Sequence, residues 1–179
     1  MAVTVTRSGA RSGEITFATN LEPELVFDYL ADFGKHQEWS DELVAMAPMS
    51  GGAAAAGATY RVVDAAHPDS PQKVPTFAEI TALERPRLIE WRLWTEPARG
   101  PRAMRSRWAF EIAGEGAGSR VTQRFSFEPP DIWSRLSLRV ANAIGDALMG
   151  GAGMSPNSIV RRAERLQHVM DVRSAVNRL

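Results

Sequence analysis

Residues 88–112 read LIEWRLWTEPARGPRAMRSRWAFEI. In the first part, Ile89, Trp91 and Leu93 alternate with Glu90, Arg92 and Trp94. In the last part, Met104, Ser106, Trp108, Phe110 and Ile112 alternate with Arg105, Arg107, Ala109 and Glu111. Successive side chains of a strand point to opposite faces, so a period of two marks two strands, each with one wet face. Wet faces of this kind belong to antiparallel sheets. Pro97, Gly100 and Pro101 interrupt the pattern and read as a hairpin connection.

Working outward, Arg120–Phe127 repeats the pattern, with Val121, Gln123, Phe125 and Phe127 on one face. Gly114–Gly118 is the turn before it, and Pro129-Pro130 ends it because neither proline can donate to a ladder. Upstream, Thr59–Asp64 and Thr76–Leu83 are further strands, and Glu14–Thr19 and Leu43–Met49 two more. Between the last two, Glu22-Pro23-Glu24 opens a helix of two to three turns ending near Asp32. Gly34 breaks it, and a second short helix reaches Trp39. Residues 50–57 (SGGAAAAG) form a flexible connection. After Asp131, a good N-cap, Ile132, Leu136, Val140, Ile144 and Leu148 recur every fourth position on one helical stripe. Gly150, Gly151 and Gly153 interrupt it. Ser155-Pro156 restarts a helix whose stripe is Ile159, Ala163, Leu166 and Met170. This order predicts an α+β fold: a curved antiparallel sheet of about seven strands wrapped around a long C-terminal helix, with two short helices after the first strand. Residues 1–12 are expected to be a flexible N-terminal tail and residues 13–179 a single domain.

The composition sets bounds. The 179 residues contain no Cys, which excludes disulfides, a thiol nucleophile and a Cys-ligated metal. The 21 basic and 21 acidic side chains cancel, which argues against a nucleic-acid binder. The cancellation is uneven: residues 1–98 carry 8 basic and 14 acidic groups, residues 99–179 carry 13 and 7. Arg dominates the basic set, with Lys only at Lys35 and Lys73, and coding bias accounts for most of that excess. No run approaches the roughly 18 apolar residues of a membrane span. Met1–Gly13 lacks the apolar segment of a signal peptide, so a cytoplasmic location is expected.

The chain resembles the START-like (SRPBCC) superfamily, in particular its polyketide cyclase/dehydrase-like branch. The resemblance is carried by the 22–30 helix opening, by Asp32 followed seven residues later by Trp39, and by Gly57–Tyr60. It is carried also by Glu84-Arg85-Pro86-Arg87-Leu88-Ile89 leading to Trp91, and by Trp108-Ala109-Phe110 before a Gly-rich turn and Val121-Thr122. It covers about residues 14–175. It implies a helix-grip (START/Bet v 1-like) fold with a deep apolar pocket, and no particular reaction, because the superfamily mixes carriers, receptors, cyclases and chaperone activators.

Candidate site residues follow from the inward strand faces and that resemblance. Tyr60, Trp91, Ser106, Trp108, Phe110, Gln123 and Phe125, with Ile144 and Leu148 on the helix, are expected to line the ligand cavity. Core packing is the commoner role for any single aromatic among them. Gln123 is polar on an apolar face and needs a partner there. Trp39 is expected to close the end of the core. In helix-grip pockets the 65–73 and 96–103 connections flank the mouth, so His67, Arg99 and Arg102, with Lys73, could meet an anionic group there. A solvated hairpin is the simpler account of the Arg99–Arg107 cluster. His36, His67 and His168 lack metal-ligand spacing, and there is no G-x-S-x-G elbow, G-x-G-x-x-G or P-loop. No cofactor, no metal and no catalytic residue is assigned. The function expected first is binding or transport of a hydrophobic small molecule, lipid-like or polyketide-like, with or without an anionic or polar end. The alternatives are a polyketide cyclase/dehydratase-type enzyme, in which Gln123 or an inward Arg polarises a carbonyl, and a protein-interaction module. The sequence leaves the oligomeric state open.

Overall fold

The computed structural model describes residues 3–9, 12–40, 43–49, 51, 53–65, 73–96, 105–128 and 156–176. Eight strands form one antiparallel sheet: β1 (Thr4–Gly9), β2 (Ser12–Thr19), β3 (Leu43–Pro48), β4 (Thr59–Ala65), β5 (Lys73–Glu84), β6 (Leu88–Thr95), β7 (Arg105–Glu115) and β8 (Gly118–Glu128). Their order is β1-β2-β8-β7-β6-β5-β4-β3, so the N-terminal strands lie beside the last strand and β3 forms the far edge. Helix α1 (Pro23–Ala31) and a 3-10 helix (Phe33–Glu38) connect β2 to β3, and α2 (Pro156–Val176) is the C-terminal helix.

The expected fold is present, and β6 spans the residues read from its alternation. One expectation is corrected. Thr4–Gly9, read as part of a flexible tail, is a strand paired with β2 from Thr4↔Thr16 to Gly9↔Ser12. Val5 is exposed, so no apolar alternation marks this edge strand; its backbone pairing with β2 holds it. The helical stripe read over Ile132–Leu148 lies outside the described residues, as does the 66–72 loop.

Local chemistry explains the joints. Pro23 stands at the first turn of α1, where its missing N–H costs nothing. Asp32 Oδ1 accepts the Gly34 N–H at 3.2 Å and caps the 3-10 helix. The β5–β6 turn is tied to α1 by a two-pronged Arg85–Asp28 pair at 3.0 and 2.8 Å. At the other end of the core, Glu38 accepts both the Tyr29 hydroxyl (3.0 Å) and Arg173 from α2 (2.9 Å), while the Arg173 guanidinium lies 4.6 Å over the Tyr29 ring. Burial, with Glu38 adding to it, pushes the Tyr29 hydroxyl well above its ordinary pKa. α2 sits on β2: Ala163 packs on Ile15, and Gln167 Nε2 donates to Ala18 O at 3.1 Å.

Gly118, at the β7–β8 turn, is a place where only glycine fits. A Cβ there would lie 2.1 Å from Thr19 O and 2.9 Å from Asn20 Cα, both backbone atoms that cannot swing away. Gly118→Ala is therefore expected to lower stability by about 1–3 kcal/mol or more by forcing the β2 end and the turn apart. A loss of unfolding free energy in urea smaller than about 0.5 kcal/mol would contradict this close approach.

Candidate functional site

The inner face of the sheet is built in cross-strand rows. Tyr60, Ala78, Leu93, Ser106 and Phe127 form one row across β4–β8. Ile80, Trp91, Trp108, Phe125 and Gly13 form the next. Ile89, Phe110, Gln123 and Ile15 form a third, and Ile112, Val121 and Phe17 a fourth. The alternation of residues 88–112 thus puts every inward aromatic of β6, β7 and β8 side by side.

The aromatic rings touch along the rows. Trp91 and Trp108 stack with centroids 6.3 Å apart, Trp108 meets Phe125 and Phe127 at 5.7 Å each, and Phe110 lies 5.3 Å from Trp91. Gly13 helps to seat Phe125: a Cβ there would come within 3.0 Å of the Phe125 ring. Burial grades along the face. Ile15, Ile89, Phe110 and Val121 have no measurable exposure, whereas Leu93, Phe125 and Phe127 are only half-buried. The face is sealed at the β7–β8 turn end and more open toward the end where β6 leads into β7.

The 3-10 helix packs over the middle of this face, against Tyr60, Trp91 and Phe110. With about three residues per turn, side chains three apart stand above one another. Phe33, His36 and Trp39 follow that spacing and enter the core together. Phe33 stacks on Tyr60 (4.9 Å), and His36 lies against Phe33 (4.6 Å), Trp39 (4.9 Å) and Trp91 (5.9 Å). Trp39 packs on Phe110 at 6.1 Å, closing the core as its sequence position suggested. Its indole Nε1 is enclosed without a hydrogen-bond partner among the described residues. His36 Nε2 is 2.7 Å from Leu30 O, so Nε2 carries the proton and donates, leaving Nδ1 as a lone pair. Burial lowers the His36 pKa from 6.5 to about 4, and the bond to Leu30 only partly opposes it. The imidazole is therefore neutral in the folded protein at neutral pH. Sequence reading passed over His36 because it sought metal spacing; the 33-36-39 interval was the usable signal.

Of the candidate residues, Tyr60, Trp91, Ser106, Trp108, Phe110, Gln123 and Phe125 come together on this one face. Ser106 accepts the Trp108 indole N–H at 2.9 Å, which accounts for a hydroxyl in an apolar row. Gln123, 3% exposed, has Phe110 and Ile15 as its cross-strand neighbours. Ile144, Leu148, His67, Arg99 and Arg102 lie outside the described residues. Lys73 begins β5.

Arg105 and Arg107 point to the outer face and are exposed. A half-open cavity of about 390 Å³ is lined by Arg92, Leu93, Trp94, Arg105, Ser106, Arg107 and Glu128. Strand alternation puts its charged residues and Trp94 opposite to Trp91 and Trp108, while Leu93 and Ser106 belong to the inner row with Phe127, so the cavity is lined by residues of both faces where β6 leads into β7. Arg92 pairs with Glu79 at 2.5 Å and Arg107 with Glu128 at 3.6 Å, both exposed pairs of small energetic weight. Among the described residues no cluster of three or more His, Asp or Glu could hold a metal. No helix among them is long and apolar enough to cross a membrane.

The polyketide cyclase / dehydrase and lipid transport family matches residues 10–153. No curated protein matches the chain in sequence. Among solved structures, a Rhodobacter sphaeroides protein superposes with a TM-score of 0.60 at 9% identity, covering 96% of this chain and 99% of its own. An Arthrobacter aurescens protein gives 0.63 at 15% identity, over 95% and 92%. Ara h 8.0201 gives 0.52 at 10% identity, over 88% and 99%. At such identities the likeness is one of fold, and the fold is the helix grip.

Proposed function

The chain belongs to the polyketide cyclase/dehydrase and lipid transport family, and from that premise we propose that it binds and carries a hydrophobic small molecule, lipid-like or polyketide-like, between its sheet and its C-terminal helix. The observation that supports this most is the band of Trp91, Trp108, Phe125 and Phe127, in contact on the inner face and only half-buried at its open end. Aromatic surface left partly uncovered is stabilised when an apolar molecule displaces water from it, and flat rings suit flat or elongated partners. A carrier needs no catalytic group: affinity comes from buried apolar area, and polar atoms at fixed points orient the cargo.

Protein purified without detergent and analysed by native mass spectrometry, or by solvent extraction, is expected to yield a co-purifying apolar molecule at about one per chain. Delipidated protein is expected to bind a solvatochromic apolar dye with a blue shift. Ligand-free protein that also leaves such a dye in water would overturn the reading.

A further inference from the structure

We infer that the bound molecule carries a carbonyl or hydroxyl oxygen that docks on the Gln123 amide, so that the inner face selects an oxygenated apolar molecule over a plain hydrocarbon. This rests on the cavity reading given above. Gln123 is 3% exposed and sits in the row of Ile15 and Phe110, neither of which has a side-chain atom able to hydrogen-bond. Several other buried polar side chains near the core are satisfied within the protein, the enclosed Trp39 Nε1 being an exception among the described residues. The Ser106 oxygen accepts the Trp108 indole N–H, the Ser119 hydroxyl donates to Leu21 O at 2.7 Å, and Gln167 donates to Ala18 O. Among the described residues nothing hydrogen-bonds the Gln123 side chain.

Gln123 is not among the side chains whose polar atoms are fully enclosed and unpaired, so its amide keeps a small contact with accessible space, where a bound molecule or water completes it. The amide offers an N–H to a carbonyl or an oxygen to a hydroxyl. Phe125 follows two residues later on the same face, roughly 7 Å along the strand, and is half-buried. A molecule lying on Phe125 and Trp108 with one end toward the sealed part of the core therefore brings that end to Gln123.

The test uses two fluorescent naphthalenes of matched size. One is 6-propionyl-2-dimethylaminonaphthalene; the other has its carbonyl reduced to a methylene. The wild-type protein is expected to bind the ketone roughly tenfold more tightly than the methylene analogue, the yield of one buried hydrogen bond. Gln123→Leu is expected to bind both alike, with the affinity for the methylene analogue kept. Gln123→Met serves the same purpose should the leucine variant fold poorly. If the wild-type protein binds both probes equally, or the variants keep the preference, Gln123 is not the docking point and the cavity reading stands. If neither probe binds the wild-type protein, the cavity reading falls together with this inference.

Discussion

Phe110→Ala is expected to lower the unfolding free energy by about 3–5 kcal/mol, the range for deleting a fully buried phenyl ring. Phe110 has no measurable exposure and contacts Trp91, Trp39 and His36, so it joins the sheet to the 3-10 helix. Its removal leaves a void between two elements that cannot both collapse into it, which puts the cost toward the upper end. Phe127→Ala is the contrast: Phe127 lies on the same face but is half-buried at the open end. It is expected to lose less than half as much stability. Urea denaturation of the two variants measures both. Similar losses would mean that the face is uniformly packed, without a sealed and an open end.

Acid is expected to destabilise the protein through His36. Its pKa is about 4 in the folded chain against an ordinary 6.5, so on acidification the unfolded chain takes up this proton first. A group whose folded pKa is depressed in this way has its contribution complete above about pH 6.5. That contribution is lost as pH falls toward 4 and changes no further below it. The full loss from this one group is about 3 kcal/mol. The cause is geometric. Phe33, Trp39, Trp91 and Phe110 surround the ring, and its Nε2 proton is committed to Leu30 O, so a second proton on Nδ1 would put a cation among aromatic side chains without water. His36→Gln keeps a donor for Leu30 O and removes the titration. Urea midpoints of the wild-type protein should fall across this interval by more than those of the variant. Parallel curves for the two would show that His36 accepts its proton while folded.

Much of the fold was legible because strands declare themselves locally. The alternation at Leu88–Thr95 and Arg105–Ile112 needs no tertiary information, since a two-residue period with charge on one side has one stable use. The same alternation sorted Trp91, Trp108, Phe110, Gln123 and Phe125 onto one face, so the membership of the inner wall was readable. β1 was not. Thr4, Val5 and Thr6 are exposed and carry no apolar alternation, and the strand state of Thr4–Gly9 depends on the free edge that β2 offers. His36 was also missed: the 33-36-39 interval marks it as core-facing, but the groups that surround its ring come from four separate elements, which the interval does not specify.

By itself, the sequence determined that this chain forms an antiparallel sheet with apolar aromatics on one side and arginines on the other, followed by a C-terminal helix. That information lies in side-chain periodicity, which the backbone converts directly into faces. Tertiary structure alone decided which parts of the inner face are sealed and which stay partly open. It also decided that the Ser106 hydroxyl is used by Trp108, while Gln123 lies among residues that cannot satisfy it. The reason is that hydrogen-bond satisfaction and residual exposure depend on neighbours brought in from distant positions, as Ile15 and Phe110 are brought to either side of Gln123. Periodicity assigns a residue to a face; strand register and the elements packed above that face determine what remains for it to bind.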